Sequence, residues 1–264
     1  MQAAQRTCLH FRRSLSTASP ILTTVQRGNV FEERSKKILQ DHLSMSLRRV
    51  GGKSDGGIDL MGWWWLPPAD SDPQGPAPGA PPTRRRLRVL AQCKAEKKKM
   101  GPNYVREMEG VLHRYMSLVR PSASPGLSLS SSSQEPLVAL LVSESPFTKS
   151  TILRAQSSPV PFFLLHIPPI PETDADEDPP EDEAPPEDAT RIGTAVWNPA
   201  LAGVRGLLEG KMEARWERSL TGAGRPGLWW GGKRLSSWTP DGGFEQLTME
   251  NEDRFFAEEQ PANV

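Results

Sequence analysis

The apolar positions of the chain change their period several times, and each change marks an element. In GNVFEERSKKILQDHL, residues 28–43, Phe31, Ile38, Leu39 and Leu43 recur at helical spacing, with Asn29 placed to cap the helix. MSLRRVG, GIDLMGWWW and RLRVLAQCKAE then read as three strands, the last two rich in residue types that fit a pleated surface. From Tyr104 to Val119 the apolar Val105, Met108, Leu112, Tyr115 and Val119 describe one face of a second helix. PLVALLVSES is an unbroken apolar run, the pattern of a strand buried on both faces. SPFTKSTILRAQ predicts a third helix and PVPFFLLHI a further strand. Near the end, WNPALAGVRGLLEGKMEARWERS predicts a helix or helix pair, and GLWWGGKRLSSW a hairpin turning near Gly231 and Gly232. Helix, three strands, helix, strand, helix, strand is an α/β fold around one mixed sheet, here followed by a small C-terminal helix/hairpin extension.

Three stretches interrupt the pattern. Residues 67–83 and 121–136 are dominated by Pro, Gly, Ala and Ser and predict long insertions, the first at a hairpin tip. Residues 172–189 hold ten acids and no base, a composition that repels itself and stays unpacked. The expected organisation is therefore a core over 28–171, an acidic linker over 172–189, a tryptophan-rich extension over 190–250 and a tail over 251–264. Tryptophans 197, 216, 229, 230 and 238 are expected to pack the extension onto the core, and Trp63, Trp64 and Trp65 to serve strand and hairpin packing rather than base stacking.

Charge sharpens this division. The formal net charge is zero, yet residues 1–171 carry 23 Lys and Arg against 12 Asp and Glu, and residues 172–264 carry 9 against 20. A basic front part suits a polyanionic partner. Residues 1–20 contain Arg6, Arg12 and Arg13, several Ser and Thr, and no acid, the composition of a mitochondrial presequence. The longest aliphatic run, Leu137 to Val142, is far short of the roughly 20 residues that span a bilayer. A matrix protein without a membrane span is expected. Of two cysteines, Cys8 lies in the presequence, so the mature chain keeps Cys93 and no intrachain disulfide. The four histidines have neither the spacing nor the cysteine companions of a zinc site.

The candidate chemistry sits at two strand ends. Residues i and i+2 of a strand share a face, so Gln92 and Lys94 point together and Cys93 to the other side. Lys94 closes an apolar run, where an ammonium needs an anion beside it. Asp59 lies just inside the preceding strand; if the two strands are hairpin partners, it comes within reach of Gln92 and Lys94. The glycines before it allow another backbone or a substrate phosphate to approach closely. On the first helix Glu32 falls at the edge of the apolar sector and points inward, whereas Glu33 points away. Two acids, an amide oxygen and a lysine suit a Mg²⁺-assisted attack on a phosphodiester.

GNVFE at 28–32, SDGGIDL at 54–60 and QCK at 92–94, in that order, resemble the motifs of the PD-(D/E)xK restriction-endonuclease-like superfamily, in particular the branch of Mrr-type restriction enzymes and archaeal Holliday-junction resolvases. Glutamine is common in that branch at the position of Gln92, and SESPFTKSTILRAQ resembles its later strand–helix step. With its presequence and tryptophan-rich tail, the whole chain is similar to the fungal mitochondrial family named for being required for respiratory growth. The resemblance implies a restriction-endonuclease-like α-β-β-β-α-β core and a Mg²⁺- or Mn²⁺-dependent nuclease acting on DNA in mitochondrial genome maintenance. It implies Asp59 as principal metal ligand, Gln92 as neutral ligand, Cys93 through its backbone carbonyl only, Glu32 as accessory helix acid and Lys94 as catalytic lysine. Asp55 has no place in that pattern and is expected to cap the glycine turn. Lys97, Lys98, Lys99 and Arg86 are expected to hold the phosphate backbone. RNA as substrate, a catalytically silent nucleic-acid-binding or assembly factor, and a homodimer stay open.

Removing most of residues 67–83 while keeping a short turn should leave unfolding cooperative, with the stability changed by no more than about 1 kcal/mol; urea denaturation of the shortened chain checks this.

Overall fold

The structure, a computed structural model, describes residues 23–50, 56–68, 84–119, 135–170, 191–217 and 225–240. Its elements are α1 (Thr24–Leu43), β1 (Met45–Arg49), β2 (Leu60–Leu66), β3 (Arg85–Lys94), α2 (Asn103–Val119), β4 (Leu137–Ser143), α3 (Lys149–Gln156), β5 (Phe162–His166), β6 (Thr194–Trp197), α4 (Pro199–Ala202), β7 (Met212–Glu217), β8 (Arg225–Trp230) and β9 (Lys233–Arg234). Through β5 this is the order that the periodicity predicts. The presequence, Asp55, residues 69–83, most of the second insertion, the acidic linker and the tail lie outside the described residues.

The first helix begins earlier than the Asn29 cap implies. Thr23 is the N-cap: its hydroxyl accepts from the Gln26 N–H at 3.3 Å, and Gln26 Oε1 accepts from the Thr23 N–H at 2.9 Å. This reciprocal capping box is a local signal, TTVQ, that helix periodicity alone passes over. The helix ends at Ser44, whose left-handed backbone (φ 56°) lets its N–H return to the Leu39 carbonyl.

β1 to β6 form one sheet in chain order. β1, β2 and β3 are antiparallel, β3, β4 and β5 parallel, and β6 runs antiparallel to β5. Parallel neighbours need a crossover, supplied by α2 between β3 and β4 and by α3 between β4 and β5. The period of two divides the core. Leu87, Val89, Ala91 and Cys93 of β3 join Phe31, Ile38, Leu39 and Leu43 of α1 on one face, while Leu90 joins Val105, Met108 and Leu112 of α2 on the other. Trp64 is fully buried and stacks on Phe163 at 5.7 Å, and Trp63 and Trp65 are buried too, so the WWW run is packing.

The C-terminal part differs from the expected helix or helix pair. Its first piece is strand β6 of the main sheet; a four-residue helix follows, then turns, then a separate sheet ordered β7-β8-β9. Gly206 gives the reason: a Cβ there would lie 2.7 Å from the carbonyl oxygens of Leu201 and Pro199, so the chain folds back onto α4 more tightly than any side chain allows. The hairpin does turn at Gly231 and Gly232 (φ 53° and 79°). Leu201, Leu208, Met212, Leu228 and Trp230 share the core that α1 covers. Trp197 packs against it, and Trp238 meets Trp65 edge-on at 5.7 Å. Trp216, by contrast, is 59% exposed and does not pack onto the core.

Asn198, 2% exposed, ties α3, β5 and α4 together. Its Oδ1 accepts from the Phe162 and Leu201 N–H groups, and its Nδ2 donates to the carbonyls of Ala155, Ser158 and Val160. Asn198→Ala leaves several of these buried groups without partners and should lower the unfolding free energy by about 3 kcal/mol, as read from the urea midpoint at unchanged slope.

Candidate active site

One edge of the main sheet collects most of the sequence-marked residues. The last residue of β1, Arg49, pairs with Leu60, the first of β2; Leu60 pairs with Ala91 of β3; Lys94, the last of β3, pairs with Ser143; and Ser143 pairs with His166, the last of β5. The ends of five strands therefore line up, and Asp59, Gln92 and Lys94 lie along that line.

At Asp59 the β2–β3 ladder stops. The Asp59 N–H donates to the Ala91 carbonyl at 2.9 Å, and the Asp59 carbonyl accepts from the Val50 N–H at 2.9 Å, so its backbone is fixed on both sides. The next β3 donor, the Cys93 N–H, goes to the side chain instead: Asp59 Oδ2 accepts it at 2.6 Å. A carboxylate here takes the place of the missing strand and is aimed at the end of β3. Gln92 is 6% exposed, and its Oε1 is buried with no hydrogen-bond partner among the described residues. Gly57 explains how the amide is held. Its φ is +81°, and a Cβ there would stand 3.3 Å from Gln92 Nε2, so the glycine turn lies directly against the amide. Asp59 and Gln92 thus offer hard oxygen donors at one place. Among the described residues no three His, Cys, Asp or Glu side chains come together to hold a metal ion, so an oxygen shell here has to draw on amide and backbone groups as well.

Lys94 leaves the sheet on the α2 face. Its ammonium lies 5.7 Å from the ring centre of Tyr104, whose hydroxyl donates to Glu96 Oε1 at 3.0 Å. Burial, with the Glu96 hydrogen bond, raises the Tyr104 pKa. Cys93 points the other way, towards α1, as the strand period requires. Burial first, then the charges of Asp59 and Glu32, push its thiol well above the ordinary value, opposed by the Ser35 hydroxyl and by Lys94. Asp59, Glu32 and Lys94 therefore all act on this one buried sulfur.

Glu32 faces inward, as the helical wheel requires, and Glu33 faces solvent beside Lys36. Unforeseen is its partner: Glu32 Oε2 accepts from Arg49 Nε at 2.8 Å, and Arg49 Nη2 lies 2.7 Å from the same oxygen. Further along the edge, Glu144 is paired with Arg27, and its N–H donates to the Lys94 carbonyl at 3.0 Å. Arg34, a helix repeat from Arg27, donates to the Pro168 carbonyl at 2.8 Å; burial lowers its pKa and Glu144 opposes that shift. Burial likewise lowers the pKa of His166, with Arg191 acting in the same direction. Arg49, Tyr104, Arg27 and Glu144 were not marked in sequence. A period-two reading of MSLRRVG places Arg49 on the α1 face with Met45 and Leu47; the other three carry no local signal.

Lys97, Lys98 and Lys99 are exposed just past β3, next to this edge. Arg86 is not. It sits eight residues from Lys94 on an extended strand, about 26 Å away, paired with Glu135 at 2.5 Å and stacked over Trp63 at 4.3 Å. The structure does not bring it to the site.

A family model described as Required for respiratory growth protein 7 matches residues 23–182. An uncharacterized protein of Schizosaccharomyces pombe, whose name carries the word mitochondrial, is 36% identical over 92 residues, which cover 35% of this chain and 32% of the relative. The match thus spans about a third of that relative's length. No solved structure matches the chain.

The elevated Cys93 pKa has a chemical consequence. At pH 8 the native thiol should react with iodoacetamide at least about tenfold more slowly than the unfolded one. Asp59→Asn, which removes the carboxylate with the greater effect on the thiol, should speed the native reaction, as read by mass of the Cys93 peptide. Because the folded value lies above the unfolded one, this group's contribution to stability is full below pH 9 and falls as pH rises beyond it.

Proposed function

We propose a function for a chain that belongs to the Required for respiratory growth protein 7 family and is a mitochondrial protein: hydrolysis of phosphodiester bonds in DNA at the edge formed by β1, β2 and β3. The finer fold assignment, to the PD-(D/E)xK nucleases, belongs to the same proposal and is supported by the order of the elements and the positions of Asp59, Gln92 and Lys94 on them. One observation carries the reading. A buried amide oxygen without a partner, Gln92 Oε1, lies at the strand end where Asp59 is pinned by a backbone N–H. A buried acceptor left without a donor is unfavourable unless something electropositive meets it.

The oxygens of Asp59, Gln92 and the Cys93 carbonyl fit a hard divalent cation, Mg²⁺ or Mn²⁺, and would hold it. Such an ion, when bound, supplies Lewis-acid polarisation of a phosphoryl oxygen and lowers the pKa of water. The remaining work falls to the chain. The Cys93 N–H holds the Asp59 carboxylate in place, Gly57 holds the Gln92 amide, and the Lys94 ammonium orients the attacking water or balances charge as it grows on the phosphoryl group. Tyr104 keeps that ammonium at the strand end. Lys97, Lys98 and Lys99 are placed to meet the backbone of a duplex beyond the scissile phosphate.

A second reading, a nucleic-acid-binding or assembly factor that keeps the fold without turnover, would rest on the exposed Lys97, Lys98 and Lys99 next to this edge.

Purified chain should cleave plasmid or branched DNA with Mg²⁺ or Mn²⁺, and Asp59→Ala and Lys94→Ala should each lower the rate at least about a hundredfold. Gel-based cleavage of duplex, junction and single-stranded DNA and RNA checks this. A wild-type chain that cuts none of them with any metal removes the hydrolytic reading and leaves the binding one.

A further inference from the structure

Glu32 and Arg49 form a unit that the site does not otherwise use. Arg49 Nε donates to Glu32 Oε2 at 2.8 Å and Nη2 donates to Asn29 Oδ1 at 2.8 Å, with Nη2 also 2.7 Å from Glu32 Oε2 in an ion pair. The carboxylate is the inner member, 16% exposed, and the guanidinium the outer, 37% exposed. An ion pair this open adds little to stability, because both charges are well solvated apart. Its effect is on direction: two anchors from α1 fix a planar cation at the end of β1.

That position lies next to Asp59. Arg49 pairs with Leu60, and the residue after it, Val50, bonds to the Asp59 carbonyl, so one strand spacing of about 5 Å separates the two backbones. The faces complete the picture. Lys94 leaves β3 on the α2 side, against Tyr104, while Arg49 leaves β1 on the α1 side, against Glu32. Two cations of different chemistry therefore leave the sheet on opposite faces, from the strands on either side of β2. A compact ammonium acts as a point charge; a guanidinium carries donors on three nitrogens, so it can be held by one set of partners and still meet a phosphate oxygen with the remaining nitrogen.

We infer that Arg49 is a phosphate-binding residue of the site, and that Glu32 is the positioning residue that orients it rather than a ligand to the metal. This rests on the reading of the edge as a phosphodiester site. It assigns a phosphate next to the scissile one to the α1 side of the sheet edge, met by Arg49 Nη1, the guanidinium nitrogen that neither Glu32 nor Asn29 takes.

The test uses the full chain and a labelled DNA duplex in metal-free buffer, with affinity measured across a range of KCl, and metal binding measured separately by Mn²⁺ titration. Arg49→Gln should weaken binding and reduce the slope of log affinity against log salt by about 0.9, the loss of one phosphate contact. Arg49→Lys should keep the slope, since the charge remains, while cleavage falls about tenfold or more because a compact ammonium cannot be held by Glu32 and Asn29 and meet the phosphate in the same geometry. Glu32→Gln should slow cleavage but leave Mn²⁺ affinity at the wild-type value, whereas Asp59→Ala should weaken it. An unchanged slope in Arg49→Gln overturns the assignment of Arg49, and a loss of Mn²⁺ affinity in Glu32→Gln overturns that of Glu32, in both cases with the nuclease reading intact. If the wild-type chain binds DNA without cutting it, the slope still decides the role of Arg49. If it binds no nucleic acid at any salt, the phosphodiester reading fails and this inference with it.

Discussion

The site depends on a single hydrogen bond, from the Cys93 N–H to the Asp59 carboxylate at 2.6 Å. β2 and β3 run as an antiparallel pair as far as Leu60 and Ala91, and there β2 turns away into the glycine turn. A buried N–H left open at that point would cost about 1–3 kcal/mol. Asp59 meets it with a side chain, so the end of the ladder and the placement of the carboxylate are the same event. Its own backbone is bonded on one side to Ala91 and on the other to Val50, which gives the acid the positional accuracy of the sheet rather than that of a loop.

The alternation of β3 then distributes chemistry between two faces. Cys93 goes to α1 and is kept protonated by burial beside two carboxylates; Gln92 and Lys94 go to the α2 side, one with a buried open oxygen, the other against an aromatic ring. The helices also match charge with charge. Arg27 and Arg34 on α1 face Glu144 after β4, and Arg49 at the end of β1 faces Glu32 on α1, so these three arginines each meet an anion supplied by a different element. Such pairs orient side chains more than they stabilise the fold. The C-terminal residues close the other end of α1: the Ser44 N–H donates to Ser237 Oγ, whose hydroxyl donates to the Gln40 carbonyl, and the Trp238 N–H donates to Ser44 Oγ.

Much of this was legible in the residues. Helical spacing over Phe31 to Leu43 and Val105 to Tyr115, and the apolar run of β4, gave the elements through β5, because these periods arise from local backbone geometry and repeat every two or three to four residues. The same geometry set Glu32 inward and Glu33 outward, and put Gln92 and Lys94 together with Cys93 opposite. The reading failed where a local pattern met a non-local demand. LAGVRGLLEG has apolar residues enough for a helix, but its glycines serve a chain folded back onto α4, which no window of sequence displays. Arg86 looked like part of a basic rim, yet strand length carries it to the far end of β3 and Trp63 holds it there.

By itself the sequence determined which residues lie on which face of the elements through β5, and therefore which of their side chains can meet, since that follows from φ and ψ alone. Only the tertiary structure decided which of them do meet: Glu32 with Arg49 across 17 residues, Asp59 with the Cys93 N–H across 34, and Arg27 with Glu144 across 117. Those pairings depend on strand order and register, which are set by how whole elements share one core and not by the residues between them.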